Sequence, residues 1–147
     1  MKVRILVLVG LVSAGVVVQA GAHCQIPCGI YGDDARFTAL LEDVATLKKA
    51  VGKIEKESTF EVPNYNQLVR WVGTKETHAD NVADVMLKYF LAQRIKASQP
   101  DYEKRLVAIH KIIVLAMKTK QNVDGQIVDD LEAAITAFQE LYQKEGS

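Results

Sequence analysis

An excess of charge of either sign is missing from this sequence: 18 lysines and arginines balance 18 aspartates and glutamates. Without a basic surplus, nothing in the bulk charge points to nucleic acid as a partner. Cysteine is nearly absent, with 2 residues in 147. Both fall in one short stretch, as Cys24 and Cys28, so they cannot staple distant parts of a fold. A bridge between them would close a very small loop and stabilise little. Repeats and low-complexity tracts are missing, and so is any strand-like alternation. Aromatic residues make up only 7% of the chain, and half of it is apolar, a balance that suits one packed helical domain.

An apolar run of membrane length is lacking too. Ile5 to Val18 is apolar apart from Gly10, Ser13 and Gly15, but it falls short of the roughly 20 residues that a spanning helix needs. Lys2 and Arg4 precede it, and the small-residue sequence Val18-Gln19-Ala20-Gly21-Ala22 follows. A basic start, a short apolar stretch and an A-x-A ending describe a secretory signal peptide over residues 1–22. The expectation is an exported protein, periplasmic or secreted, matured by signal peptidase and without stable membrane association. Two cuts are open. One after Ala22 leaves His23 as the amino terminus, and one after Ala20 leaves Gly21. Losing Lys2 and Arg4 takes the basic count from 18 to 16 against 18 acidic residues, so the mature chain is close to neutral.

From residue 33 to 147 the pattern is helical. Asp33 or Asp34 can cap a helix with Phe37, Leu40, Leu41, Val44, Leu47, Val51 and Ile54 on one stripe. Ser58 to Pro63 breaks it. After Asn64, the stripe Tyr65, Leu68, Val72, Ala79, Val82, Met86 and Tyr89 predicts one long helix to about Lys96. Ser98-Gln99-Pro100 restarts the chain, with Pro100 expected in the first helical turn. Tyr102, Leu106, Ile109, Ile113, Ala116 and Met117 form the third stripe, and Asn122-Val123-Asp124-Gly125 is a turn. The fourth is Ile127, Leu131, Ile135, Phe138 and Tyr142. Four amphipathic helices with short links predict an all-α, antiparallel four-helix bundle.

Residues 23–32 lie ahead of the helices and concentrate metal donors. With His23 as the terminus, a free amine, an imidazole, the Cys24 backbone nitrogen and the Cys24 and Cys28 thiolates converge. The amine and the next backbone nitrogen close a five-membered chelate ring, and Pro27 and Gly29 favour the turn that brings Cys28 back. Soft sulfur and strong nitrogen donors in a plane suit nickel(II) or copper(II), whereas zinc prefers a tetrahedron. Anionic thiolates and a deprotonated amide would also stabilise a higher oxidation state. Tyr31 is the nearest group for proton supply. A bridged, metal-free Cys24–Cys28 pair in a small exported binding protein is the bland reading, since thiols oxidise outside the cytosol. His78 and His110 share no ligand spacing with each other or with a cysteine, and are expected to be solvated or at the core edge.

The run His23, Cys24, Pro27, Cys28, Gly29 and Tyr31, in the pattern His-Cys-x-x-Pro-Cys-Gly-x-Tyr, resembles the nickel hook of the nickel-containing superoxide dismutases. The resemblance implies an N-terminal hook on a four-helix bundle, a homohexamer, and superoxide disproportionated to dioxygen and hydrogen peroxide through a Ni(II)/Ni(III) cycle. By the same likeness His23 would supply the amine and an axial imidazole, Cys24 an amidate and a thiolate, and Cys28 the second thiolate. Tyr31 and Tyr89 would order water and restrict anions at the site. Gln25 stands where some members carry an acidic residue. Glu42 or Asp43, and Arg70, are candidates for the carboxylate and arginine that steady the axial imidazole. The alternative function is an exported copper- or nickel-binding carrier, because a chain starting Gly21-Ala22-His23 would chelate such ions through its amine, two amides and the imidazole.

Overall fold

The computed structural model describes residues 32–144. The expected signal peptide and the candidate residues His23, Cys24, Cys28 and Tyr31 lie outside the described residues, whereas Tyr89 lies within them. Helix α1 spans Asp34–Ser58, α2 Tyr65–Asp84, α3 Tyr102–Gln121 and α4 Gly125–Gln143, and a π-helical segment, Val85–Arg94, continues α2. Helix α1 packs on α2, α2 on α3, α3 on α4, and α4 back on α1. The all-α four-helix bundle expected from the periodicity is therefore the fold, with successive helices antiparallel. No described helix is long and apolar enough to cross a membrane.

Helix α1 buries Phe37, Leu40, Val44, Leu47, Val51 and Ile54 of the stripe read from the sequence, and leaves Leu41 partly buried. Each fully buried aliphatic or aromatic side chain contributes on the order of 1.5–3 kcal/mol. The Asn64 carboxamide caps α2 by accepting the Gln67 N–H at 3.2 Å, and the Asp124 carboxylate caps α4 from the Gln126 N–H at 2.8 Å. Pro100 stays outside α3. Gln99 closes a turn back onto Lys96 through both its backbone N–H (3.0 Å) and its side-chain carbonyl (2.9 Å), which holds the chain out of the helix until Tyr102.

Two stripes sit differently from their expected positions. In α2 the expected Ala79 and Val82 are buried and Lys75 joins them, while the expected Tyr65 and Val72 are 70% and 40% exposed. Lys75 occupies an interior position because its ammonium donates to the carbonyls of Thr119 (2.7 Å) and Lys120 (2.5 Å), at the negative end of the α3 dipole. In α3 the buried face is Arg105, Ile109, Ile112, Ala116 and Thr119, leaving Leu106 half-buried and Met117 exposed. The helix turns Arg105 inward, where its guanidinium lies 5.2 Å from the centre of the Tyr142 ring.

The predicted long second helix is continuous but not α-helical throughout. Its last ten residues wind as a π-helix, closed by the Ile95 N–H on the Phe90 carbonyl at 3.0 Å. A wider turn rotates successive residues through a smaller angle. The neighbours Tyr89 and Phe90 therefore both reach the interior, each with no exposed surface. Phe90 sits at the centre of an aromatic group, its ring 4.9 Å from Phe37, 5.1 Å from Phe138 and 5.3 Å from Tyr142. That group closes the end of the bundle where α1 begins and α4 ends.

Candidate active site at the foot of the amino-terminal segment

Gly32 enters α1 with a positive φ of 82°, a conformation that glycine adopts without steric cost. Asp33 follows at the N-cap position, but its carboxylate does not cap the helix. The first turn is held instead by the Asp33 carbonyl, which accepts from the Arg36 N–H at 2.9 Å. The carboxylate turns into the bundle. Its Oδ1 accepts from the Tyr89 hydroxyl and from Arg94 Nε at 3.1 Å, and its Oδ2 accepts from the Tyr142 hydroxyl at 2.6 Å. One residue thus ties together the start of α1, the π-helical segment and the last turn of α4.

Arg94 also donates through Nη2 to the Tyr89 hydroxyl oxygen at 2.9 Å, and its Cζ lies 4.7 Å from the centre of that ring. Arg36 lies 5.3 Å from the same ring, within the range of a cation–π contact. The Tyr89 hydroxyl therefore donates a hydrogen bond to Asp33 and accepts one from Arg94. Burial and the Asp33 carboxylate push the Tyr89 phenol above its ordinary value, against the opposing pull of Arg94. Burial and Asp33 raise Tyr142 further still. Both phenols stay protonated at neutral pH. Burial alone would raise the Asp33 carboxyl, but hydrogen bonds from Tyr142 and Tyr89 and the charge of Arg94 outweigh it and hold the group below the usual carboxylate range.

A lowered carboxyl contributes stability above its unfolded-state pKa of about 3.9, and loses it as pH falls through the lower folded value. Asp33→Asn is expected to melt below the parent protein at pH 7, with the two melting curves converging below about pH 4. Thermal melts followed by circular dichroism between pH 2.5 and 7 check this. A constant gap across that range would mean that Asp33 acts through shape and not through charge.

The other candidates lie elsewhere. Asp43 is committed to α2, its Oδ1 meeting His78 Nδ1 at 2.6 Å and Asn81 Nδ2 at 3.2 Å. Along α1 it stands about 15 Å from Asp33. Glu42 is exposed, and Arg70 is exposed in the second turn of α2, at the opposite end of the bundle. None of the three reaches the cluster around Tyr89. His78 is partly exposed and His110 exposed, as expected, and no described group of three His, Cys, Asp or Glu residues could hold a metal. The sequence reading singled out Tyr89 but gave no sign of Asp33, Arg94 and Tyr142 as its hydrogen-bonded cluster. Tyr142 carried only a core signal, and Arg94 carried none, because α-helical spacing puts it on another face from Tyr89.

The described residues form a small all-α bundle with a buried, hydrogen-bonded tyrosine at the end where α1 begins. The family model for nickel-containing superoxide dismutase matches residues 18–145, nearly the whole chain, and the chain belongs to that family. It is a superoxide dismutase with nickel as its metal. No curated protein and no solved structure matches it. Nothing found supports the copper or nickel carrier reading.

Proposed function

We propose that the nickel site is built by residues 23–32 and becomes competent only when cleavage after Ala22 frees the His23 amine. In this reading the amine and imidazole of His23, the backbone nitrogen and thiolate of Cys24 and the thiolate of Cys28 hold the metal. The donor set fits nickel: two soft thiolates and strong-field nitrogens suit a planar d⁸ ion. When bound, nickel supplies a one-electron couple that takes an electron from one superoxide and returns one to the next. Over a full cycle two superoxides and two protons become one dioxygen and one hydrogen peroxide.

The observation that carries the reading is the placement of Tyr89. It is buried, and it bonds to Asp33, which follows the donor segment almost directly. Cys28 is separated from Asp33 only by Gly29 to Gly32, so the chain keeps its Cα within about 18 Å of this cluster. Tyr89 then acts as an ordering group and not as an acid, since its O–H is donated to the Asp33 carboxylate and its phenol is raised. Tyr31 is left as the phenol nearest the donors, to order water and to exclude larger anions.

Export by the signal peptide and removal of residues 1–22 by signal peptidase complete the reading, and the mature chains assemble into a homohexamer. The outward apolar residues Val62, Tyr65 and Val69 supply a face for that assembly. The test is the amino-terminal residue and metal content of the protein purified from its exported fraction. A chain starting at His23 with about one nickel per subunit is expected. A chain starting at Gly21, or one without nickel and with Cys24 and Cys28 bridged, would overturn the site.

A further inference from the structure

The π-helical winding has a consequence for charge. In an α-helix, a residue five positions on is rotated by about 140° and faces elsewhere. With i→i+5 bonding, residues five apart share a face. Arg94 is five residues beyond Tyr89, and it lies on the Tyr89 ring with Nη2 on the hydroxyl. Winding, and not sequence proximity, brings this guanidinium to the foot of the donor segment.

A guanidinium carries five N–H donors. Arg94 spends Nε on Asp33 and an Nη2 donor on Tyr89, while its side chain remains 30% exposed. Arg36, against the same ring, has a buried Nε with no hydrogen-bond partner. A buried, unpaired N–H is costly and marks a place where an acceptor belongs. Around the Tyr89 ring itself two guanidiniums, Arg36 and Arg94, stand against the one carboxylate of Asp33.

We propose that Arg36 and Arg94 form the anion-receiving edge of the active site, drawing superoxide to the exposed side of the Arg94 guanidinium, with the π-helical segment as the device that places Arg94 there. The proposal deepens the dismutase reading and rests on it. Superoxide is a small monoanion, and two guanidiniums beside a partly open carboxylate offer it free donors without a full salt bridge. Arg94 has a second part as the positioning residue for the Tyr89 hydroxyl.

The test compares the nickel-loaded mature protein with Arg36→Gln, Arg94→Gln, Arg94→Lys and, as a control on the exposed far part of α1, Lys53→Gln. Two quantities are read: kcat/KM for superoxide against ionic strength, and binding of azide, a small monoanion, by calorimetry. Arg36→Gln and Arg94→Gln are expected to lower kcat/KM about tenfold at low salt, to flatten its salt dependence and to weaken azide about tenfold. Arg94→Lys keeps the charge and should keep the slope, and Lys53→Gln should match the parent. Azide binding that survives in a nickel-free Cys28→Ser protein, and is lost when Arg36→Gln is added, supports the edge whatever becomes of the metal ligands. Kinetics and azide affinity within twofold of the parent in both glutamine variants would overturn the proposal.

Discussion

A protein that keeps Ala22 ahead of His23 is expected to lose dismutase activity by roughly a hundredfold or more, a larger loss than removing an outer-shell partner of a metal ligand. Acylation turns a basic amine into an amide, whose nitrogen binds a metal only after losing a proton. The same single bond therefore removes a strong donor and shifts the chelate ring by one residue. Cys24→Ser and Cys28→Ser should fail comparably, because a hydroxyl is a harder and much less acidic ligand that cannot replace the electron density of a thiolate. None of these changes alters a residue of α1 to α4, so the helical circular dichroism should stay as in the parent. Elemental analysis alongside pulse-radiolysis rates separates loss of metal from loss of rate. Full activity in the Ala22-extended protein would remove the amine from the mechanism.

Phe90→Ala is expected to cost about 3–5 kcal/mol of stability, the range for deleting a fully buried aromatic. On a domain of this size that corresponds to a fall in Tm of about 10 °C or more. The reason is position: Phe90 has no exposed surface and touches Phe37, Tyr89, Phe138 and Tyr142, which come from α1, the π-helical segment and α4. Those elements also carry Asp33, Arg94 and Tyr142, so a cavity at Phe90 should slacken the hydroxyl of Tyr89 before the bundle unfolds. Calorimetric melts of Phe90→Ala and Phe90→Leu give the measurement, with the leucine variant losing less because it leaves less empty volume. A shift of only one or two degrees for the alanine variant would show that the aromatic group does not hold this end together.

The sequence by itself determined what depends on near neighbours. The helical period of α1 and α4 is a local property, repeated every three or four residues, and their buried faces match it residue for residue at Phe37, Leu40, Val44, Leu131, Ile135 and Phe138. The donors of the proposed hook are legible for the same reason, since His23, Cys24 and Cys28 are close along the chain and their chemistry is set by spacing. Only the tertiary structure decided which polar groups turn inward. Asp33 reads as a helix cap, yet two tyrosines and an arginine from distant elements offer its carboxylate stronger partners than one backbone N–H. Lys75 and Arg105 break apolar stripes because the α3 carboxyl end and the Tyr142 ring accept them. Arg94 meets Tyr89 through a π-helical winding that no α-helical period anticipates. Hydrogen bonds and buried charges depend on partners far along the chain, and those partners become neighbours only when the four helices pack.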